Sequence, residues 1–149
     1  MNKKFLLSIL IAVILGISTA KVVYSKTNIS KEDKNDIYFL QLGVYSSINS
    51  MEEDTKKVDN KLVLKEDNKY YVYVAISKYK DNLNKISKLY NNLGYNLYIK
   101  PRKVVNQEFL LNLEQFDKLL KTSTALEEIN TINSVVLSSY EEMVINSEK

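Results

Sequence analysis

The sequence predicts an α+β fold. A βαββαβ domain forms a four-stranded antiparallel sheet with two helices on one face, an N-terminal transmembrane helix precedes it, and a C-terminal helical hairpin follows. Three observations predict it. An uncharged apolar run fills residues 5–20, strict two-residue alternation begins at Ile37, and two apolar stripes of helical period follow Asn106. The expected divisions are 1–24 as membrane anchor, 25–36 as linker, 37–105 as the sheet domain and 106–149 as helical extension.

Asn2-Lys3-Lys4 precedes the apolar run, and Lys21-Val22-Val23-Tyr24 continues it. The two lysines favour a cytoplasmic N-terminus, so the rest of the chain is expected on the extracytoplasmic side of the cell membrane as a single-pass protein. Ser18-Thr19-Ala20 has the small residues of a signal-peptide cleavage site, which leaves removal of the leader open. Lys21 can snorkel and Tyr24 suits the interface, which favours retention. Residues 25–36 are polar and aperiodic, as a tether would be.

Cysteine and histidine are absent. The sequence therefore offers no disulfide, thiol nucleophile, imidazole base or Cys/His metal site, and no cofactor or metal is expected. Residues 37–105 carry 12 basic and 7 acidic side chains, a balance of +5, whereas residues 106–149 carry 3 and 8, a balance of −5. Such asymmetry suggests separate partners or docking of the tail on the domain.

Within the domain, Tyr38, Leu40, Leu42 and Val44 alternate with Phe39, Gln41, Gly43 and Tyr45, as in a strand. Ser46 to Asn60 reads as a helix with serine caps and charges that match its dipole. Lys61–Lys65 and Tyr70–Ile76 read as strands around a Glu66–Lys69 turn. Asp81 to Leu93 is a second helix stopped by Gly94, and Tyr95–Lys100 a last strand closed by Pro101. The order is that of ferredoxin-like and RNP-like sheets. Two helices cover one face, expected to hold Leu40, Leu42, Val44, Leu62, Leu64, Val72, Val74, Leu97 and Ile99. Alternation then leaves Phe39, Gln41, Gly43, Tyr45, Tyr71, Tyr73, Ala75, Tyr98 and Lys100 on an uncovered face. Exposed aromatics at that density imply a ligand or a cover.

Leu40-Gln-Leu-Gly-Val-Tyr-Ser46 resembles the opening of the SPOR domain of bacterial division and cell-wall proteins. Tyr71-Val-Tyr-Val-Ala75 is similar to that family's third strand, and Leu93-Gly-Tyr-Asn-Leu-Tyr-Ile99 to its second-helix exit and fourth strand. The resemblance covers about residues 37–100. Ala75-Ile76-Ser77 departs from it, standing where the family has Gly-Pro-aromatic. The resemblance implies a module that binds peptidoglycan glycan strands stripped of stem peptides, at division or sporulation septa, with division proteins as possible partners. It places Gln41, Tyr45, Tyr71 and Tyr73 toward glycan. Chemistry adds Ser46, Tyr98 and Lys100: sugar C–H faces pack on aromatic rings, hydroxyl and acetamido groups need polar partners, and an ammonium suits the muramyl carboxylate.

In the tail, Phe109, Leu110, Leu113, Phe116, Leu119 and Leu120 share a stripe, and Leu126, Ile129, Asn133, Val136, Tyr140 and Met143 form a second. Three arrangements are open: a hairpin packed on itself or elsewhere on the domain, a coiled-coil dimer, or a hairpin lying across the aromatic face. The first is the default expectation. Of the functional classes, a non-catalytic glycan binder leads. A membrane-anchored scaffold acting through the C-terminal helices is the alternative. An enzyme is not expected, since no carboxylate falls on the open face. RNA stacks on similar sheets, but an exported domain meets no nucleic acid.

Overall fold

The computed structural model describes residues 36–147. The expected anchor, and the tether up to its last residue, lie outside the described residues. Among the described residues no helix is long and apolar enough to cross a membrane. The elements are β1 (Asp36–Tyr45), α1 (Ile48–Asp54), β2 (Leu62–Glu66), β3 (Lys69–Ser77), α2 (Lys80–Asn91), β4 (Tyr98–Lys103), α3 (Gln107–Thr122) and α4 (Leu126–Ser147). The four strands form one antiparallel sheet in the order β2-β3-β1-β4, so β2 and β4 are its edges.

Local chemistry accounts for the joints. The β2–β3 hairpin closes where Glu66 pairs with Lys69, and Asp67 and Asn68 between them take φ of 49° and 58°. Two successive positive φ values are what a two-residue hairpin turn requires, and Asp and Asn tolerate them. The Ser47 hydroxyl caps α1 by accepting from the Ser50 N–H, but the helix spans seven residues rather than the fifteen expected. It ends at Thr55, whose hydroxyl donates to the Met51 carbonyl. Gly94, at φ +87°, ends the α2 exit turn in the left-handed region. Strand β4 runs through Pro101 instead of stopping there. An edge strand tolerates proline because one row of its N–H groups has no ladder partner to lose.

Helices α1 and α2 pack on one face of the sheet, as expected. The other face is not open. Helix α4 lies across β3 and β2 with α3 packed beside it. Phe39 and Tyr140 meet edge-to-face at 5.0 Å between centroids, and Phe109 meets Tyr140 at 5.3 Å. Phe39 and Ala75 are fully buried and Tyr73 is 2% exposed. The expectations of an uncovered aromatic face and of a hairpin packed elsewhere are both corrected. The reason is apolar: the stripe of Phe109, Leu113, Phe116, Ile129, Val136 and Tyr140 needed a surface, and this face supplied one.

Two register features also move side chains between faces. In β2, Leu62 pairs with Tyr73 and Leu64 with Tyr71, so these leucines share the face of the tyrosines rather than that of Val72. Between β1 and β3, the pairing shifts at Leu40/Gln41 and again at Gln41/Gly43. Beyond these irregularities the phase of β1 has changed. Val44 pairs with Tyr71, and Tyr45 with Tyr70.

Candidate functional site

The seven residues expected to face ligand divide into four groups. Tyr73 is a core residue. Its ring packs edge-to-face on Phe39 at 5.0 Å, and its hydroxyl accepts from the Arg102 guanidinium at 2.9 Å. Burial pushes its pKa up, with Arg102 opposing. Tyr71 is half-buried, paired with Leu64 on one side and the exposed Val44 on the other.

Tyr45 and Ser46 leave the group because of the change of phase. Tyr45 folds back over Gly43, so close that a Cβ there would lie 2.7 Å from the tyrosine oxygen. That close approach is why a glycine stands two residues before the aromatic. Burial raises the Tyr45 pKa, with smaller contributions from Asp54 and Tyr95, which places its ring toward α1. Ser46 is exposed in the bend after β1.

Gln41, Tyr98 and Lys100 come together. Gln41 pairs with Tyr98 and Phe39 with Lys100, so all three side chains share one face at the β1–β4 edge. Tyr98 is 59% exposed, Lys100 is exposed and Gln41 half-buried. Helix α4 covers β3 and β2, leaving this edge of the face in solvent. A flat aromatic ring, an amide and an ammonium in one row can stack on a pyranose, bond its acetamido or hydroxyl groups and meet a carboxylate.

Sequence reasoning missed the polar network beneath the hairpin. Arg102, the only arginine in the chain, forms a bidentate pair with Glu66 at 2.8 and 3.0 Å. Its guanidinium lies 5.5 Å from the Phe39 ring centroid and 5.2 Å from that of Tyr73. Burial opposes its charge, but the Glu66 and Tyr73 contacts outweigh that and raise its pKa further. A lone arginine in a lysine-rich chain was the available signal, because only a planar guanidinium stacks and forks in this way. Among the described residues, no group of three or more acidic side chains could hold a metal ion.

A second buried cluster ties α3 to the end of β3. The Asp117 carboxylate accepts from the Ser77 hydroxyl, from the Lys78 N–H at 2.9 Å and from the Asn82 amide at 2.9 Å. Lys85 caps the end of α3 by donating to the Leu120 carbonyl at 2.8 Å and to that of Ser123. Charge contributes little to docking by comparison. The Lys78–Glu114 pair at 3.4 Å is partly exposed, the kind of contact worth at most about 1 kcal/mol.

The hairpin is a wall of the core rather than a removable cover. Ile37, Phe39, Leu62 and Tyr73 are each no more than 2% exposed. At about 1.5–3 kcal/mol per buried large side chain, uncovering these four costs on the order of 10 kcal/mol, before the helix side is counted. A ligand of micromolar to millimolar affinity supplies about 4–8 kcal/mol. It cannot displace the hairpin and keep measurable affinity.

No family model matches the chain, and no curated protein sequence does. Among solved structures, it is similar to the solution structure of the peptidoglycan binding domain of the B. subtilis cell wall lytic enzyme CwlC. The identity is 19%, the TM-score 0.41, and the match covers 50% of this chain and 100% of that domain. At this TM-score the likeness carries no function across.

Proposed function

We propose that this chain is a non-catalytic protein of the cell envelope that binds peptidoglycan glycan strands, membrane-anchored through residues 1–24 and carrying its domain outside the cytoplasm. Denuded strands are the proposed ligand, at division or sporulation septa. The observation that carries the reading is the row of Gln41, Tyr98 and Lys100 on the part of the sheet that the hairpin leaves in solvent. Tyr98 supplies the stacking surface, Gln41 the amide for an acetamido or hydroxyl group, and Lys100 the cation for a muramyl carboxylate. The resemblance of residues 37–100 to SPOR domains supports the same ligand class, with the contact moved from the sheet centre to its β1–β4 edge.

Co-sedimentation with sacculi tests it. Amidase-treated sacculi, which expose bare glycan, should retain the protein better than intact ones. Equal absence of binding to both would remove the reading and favour a scaffold acting through its surface helices.

A further inference from the structure

Gln41 owes its place in the ligand row to a break in the sheet. Register shifts flank it on both sides, between Leu40 and Gln41 and between Gln41 and Gly43. Continuing the register of the Leu40–Ala75 pair would set Gln41 opposite Val74. The irregularity sets it opposite Tyr73 instead, and leaves Val74 and Leu42 out of the β1–β3 pairing. On its other side Gln41 pairs with Tyr98. The path of β1 at this one residue therefore decides how the amide stands beside the exposed ring.

A break of this kind persists only where something takes up the backbone groups it frees. Asn133 does so from α4, donating its side-chain amide to the Val74 carbonyl. The bond is sealed from water, with Val74 fully buried and Asn133 2% exposed. Position 133 lies in the apolar stripe of α4, beside the buried Ile129, Ile132 and Val136. Among the described residues nothing donates to the Asn133 Oδ1, so the amide is used through its N–H alone. Packing in this stripe does not call for an amide; the freed carbonyl does.

We infer that Asn133 is a positioning residue for glycan binding: from α4 it fixes the strand break that sets Gln41 in the row with Tyr98 and Lys100. The inference rests on the glycan reading above. It gives the hairpin a part in recognition without any contact to ligand. Helix α4 closes one part of the sheet face and holds the register of the part left open. With the bond gone, nothing keeps Val74 out of the pairing, and Gln41 shifts relative to Tyr98 as the ladder closes.

The test uses the full chain and amidase-denuded glycan strands as the probe, at a temperature where every variant is fully folded. Asn133→Ala should weaken binding about fivefold, the loss of roughly one hydrogen bond from Gln41 to ligand. It should also move the Gln41 side-chain amide resonances in nitrogen-labelled protein. Leu120→Ala is the control. Leu120 is buried at the α2 end of α3, where its carbonyl accepts from Lys85, so its truncation lowers stability without reaching the strand break. Its affinity should stay within about twofold of wild type, with the Gln41 resonances in place. Asn133→Leu, which refills the space without a donor, is the second variant should Asn133→Ala not fold, with the same expectations. Three results would each overturn the inference: an Asn133 variant binding within about twofold of wild type, unmoved Gln41 resonances, or an equal loss of affinity in Leu120→Ala. If Gln41→Ala still weakens binding in that case, only this inference falls. If the wild-type chain fails to bind at all, the glycan reading falls and this inference with it.

Discussion

The side-chain amide of Asn133, in the middle of α4, donates a hydrogen bond to the backbone carbonyl of Val74, in the middle of β3. Val74 is the residue that the β1–β3 pairing skips, since Leu40 pairs with Ala75 and Gln41 with Tyr73. An irregularity there leaves a ladder carbonyl without its strand partner, and burial makes that costly. Asn133, 2% exposed, supplies the missing donor. A polar residue in a heptad-like stripe, which invites a coiled-coil reading, is explained by the strand it packs on.

Asn133→Ala should therefore destabilise the fold by about 1–3 kcal/mol, the cost of an unsatisfied buried acceptor. Chemical denaturation checks this. A change below about 0.5 kcal/mol would mean that the carbonyl finds another partner.

Arg102 links the two edge strands through Glu66 while stacking on Phe39 and Tyr73. The carboxylate side of the pair is 43% exposed, so charge alone is worth little. Glu66→Gln should cost no more than about 1 kcal/mol. Arg102→Ala should cost more, about 2 kcal/mol, because the guanidinium also covers two rings. Equal losses in equilibrium unfolding would show that packing contributes nothing beyond the ion pair.

The Asp117 carboxyl is held above its ordinary value of 3.8 by burial, partly offset by the hydrogen bonds from Ser77, Lys78 and Asn82. The folded state thus keeps a proton over a pH window in which the unfolded chain has released it. The resulting contribution to stability is greatest below the unfolded value and falls as pH rises through the folded one. Asp117→Asn, which does not titrate, isolates the effect. Wild type should lose stability relative to this variant as pH rises from 4 to 7 in thermal melts. Parallel pH profiles would contradict the assignment.

Much of the sheet was legible because alternation, turn residues and the Gly94 stop are local signals. The four strands and two domain helices appear in the expected order, and both tail helices form. What failed was the assignment of faces. Alternation gives the parity of one strand, but register decides which parities share a face, and Leu62 opposite Tyr73 is a pairing no single strand reveals. The irregularities around Gln41 then shifted the phase within β1, sending Tyr45 to the other side. The cover on Phe39 and Tyr73 was half legible. The stripes through Phe116 and Tyr140 showed that something must be buried, and the aromatic face was one candidate surface. The unexpected route of β4 through Pro101 carried Arg102 into the sheet, and with it the network beneath α4.

Tyrosines on the same face should now behave differently. Tyr73→Ala, at a buried position, should cost about 3–5 kcal/mol, in place of the small effect expected for an exposed strand residue. Tyr98→Ala should change stability by less than about 0.5 kcal/mol yet reduce retention on denuded sacculi. Thermal melts paired with co-sedimentation separate the two. A Tyr98 variant that binds as wild type does would remove the β1–β4 edge from the site.

Truncation after Asn106 tests the central claim most directly, that α3 and α4 complete the core and confine ligand to the sheet edge. Without them Phe39, Tyr73 and Leu62 would face water, and the Val74 carbonyl would lose Asn133. The truncated chain should show no cooperative thermal transition and a collapsed amide spectrum. A truncated domain that melts cooperatively and binds denuded glycan more tightly than the full chain would contradict the account, and would make the hairpin a lid over the aromatic face.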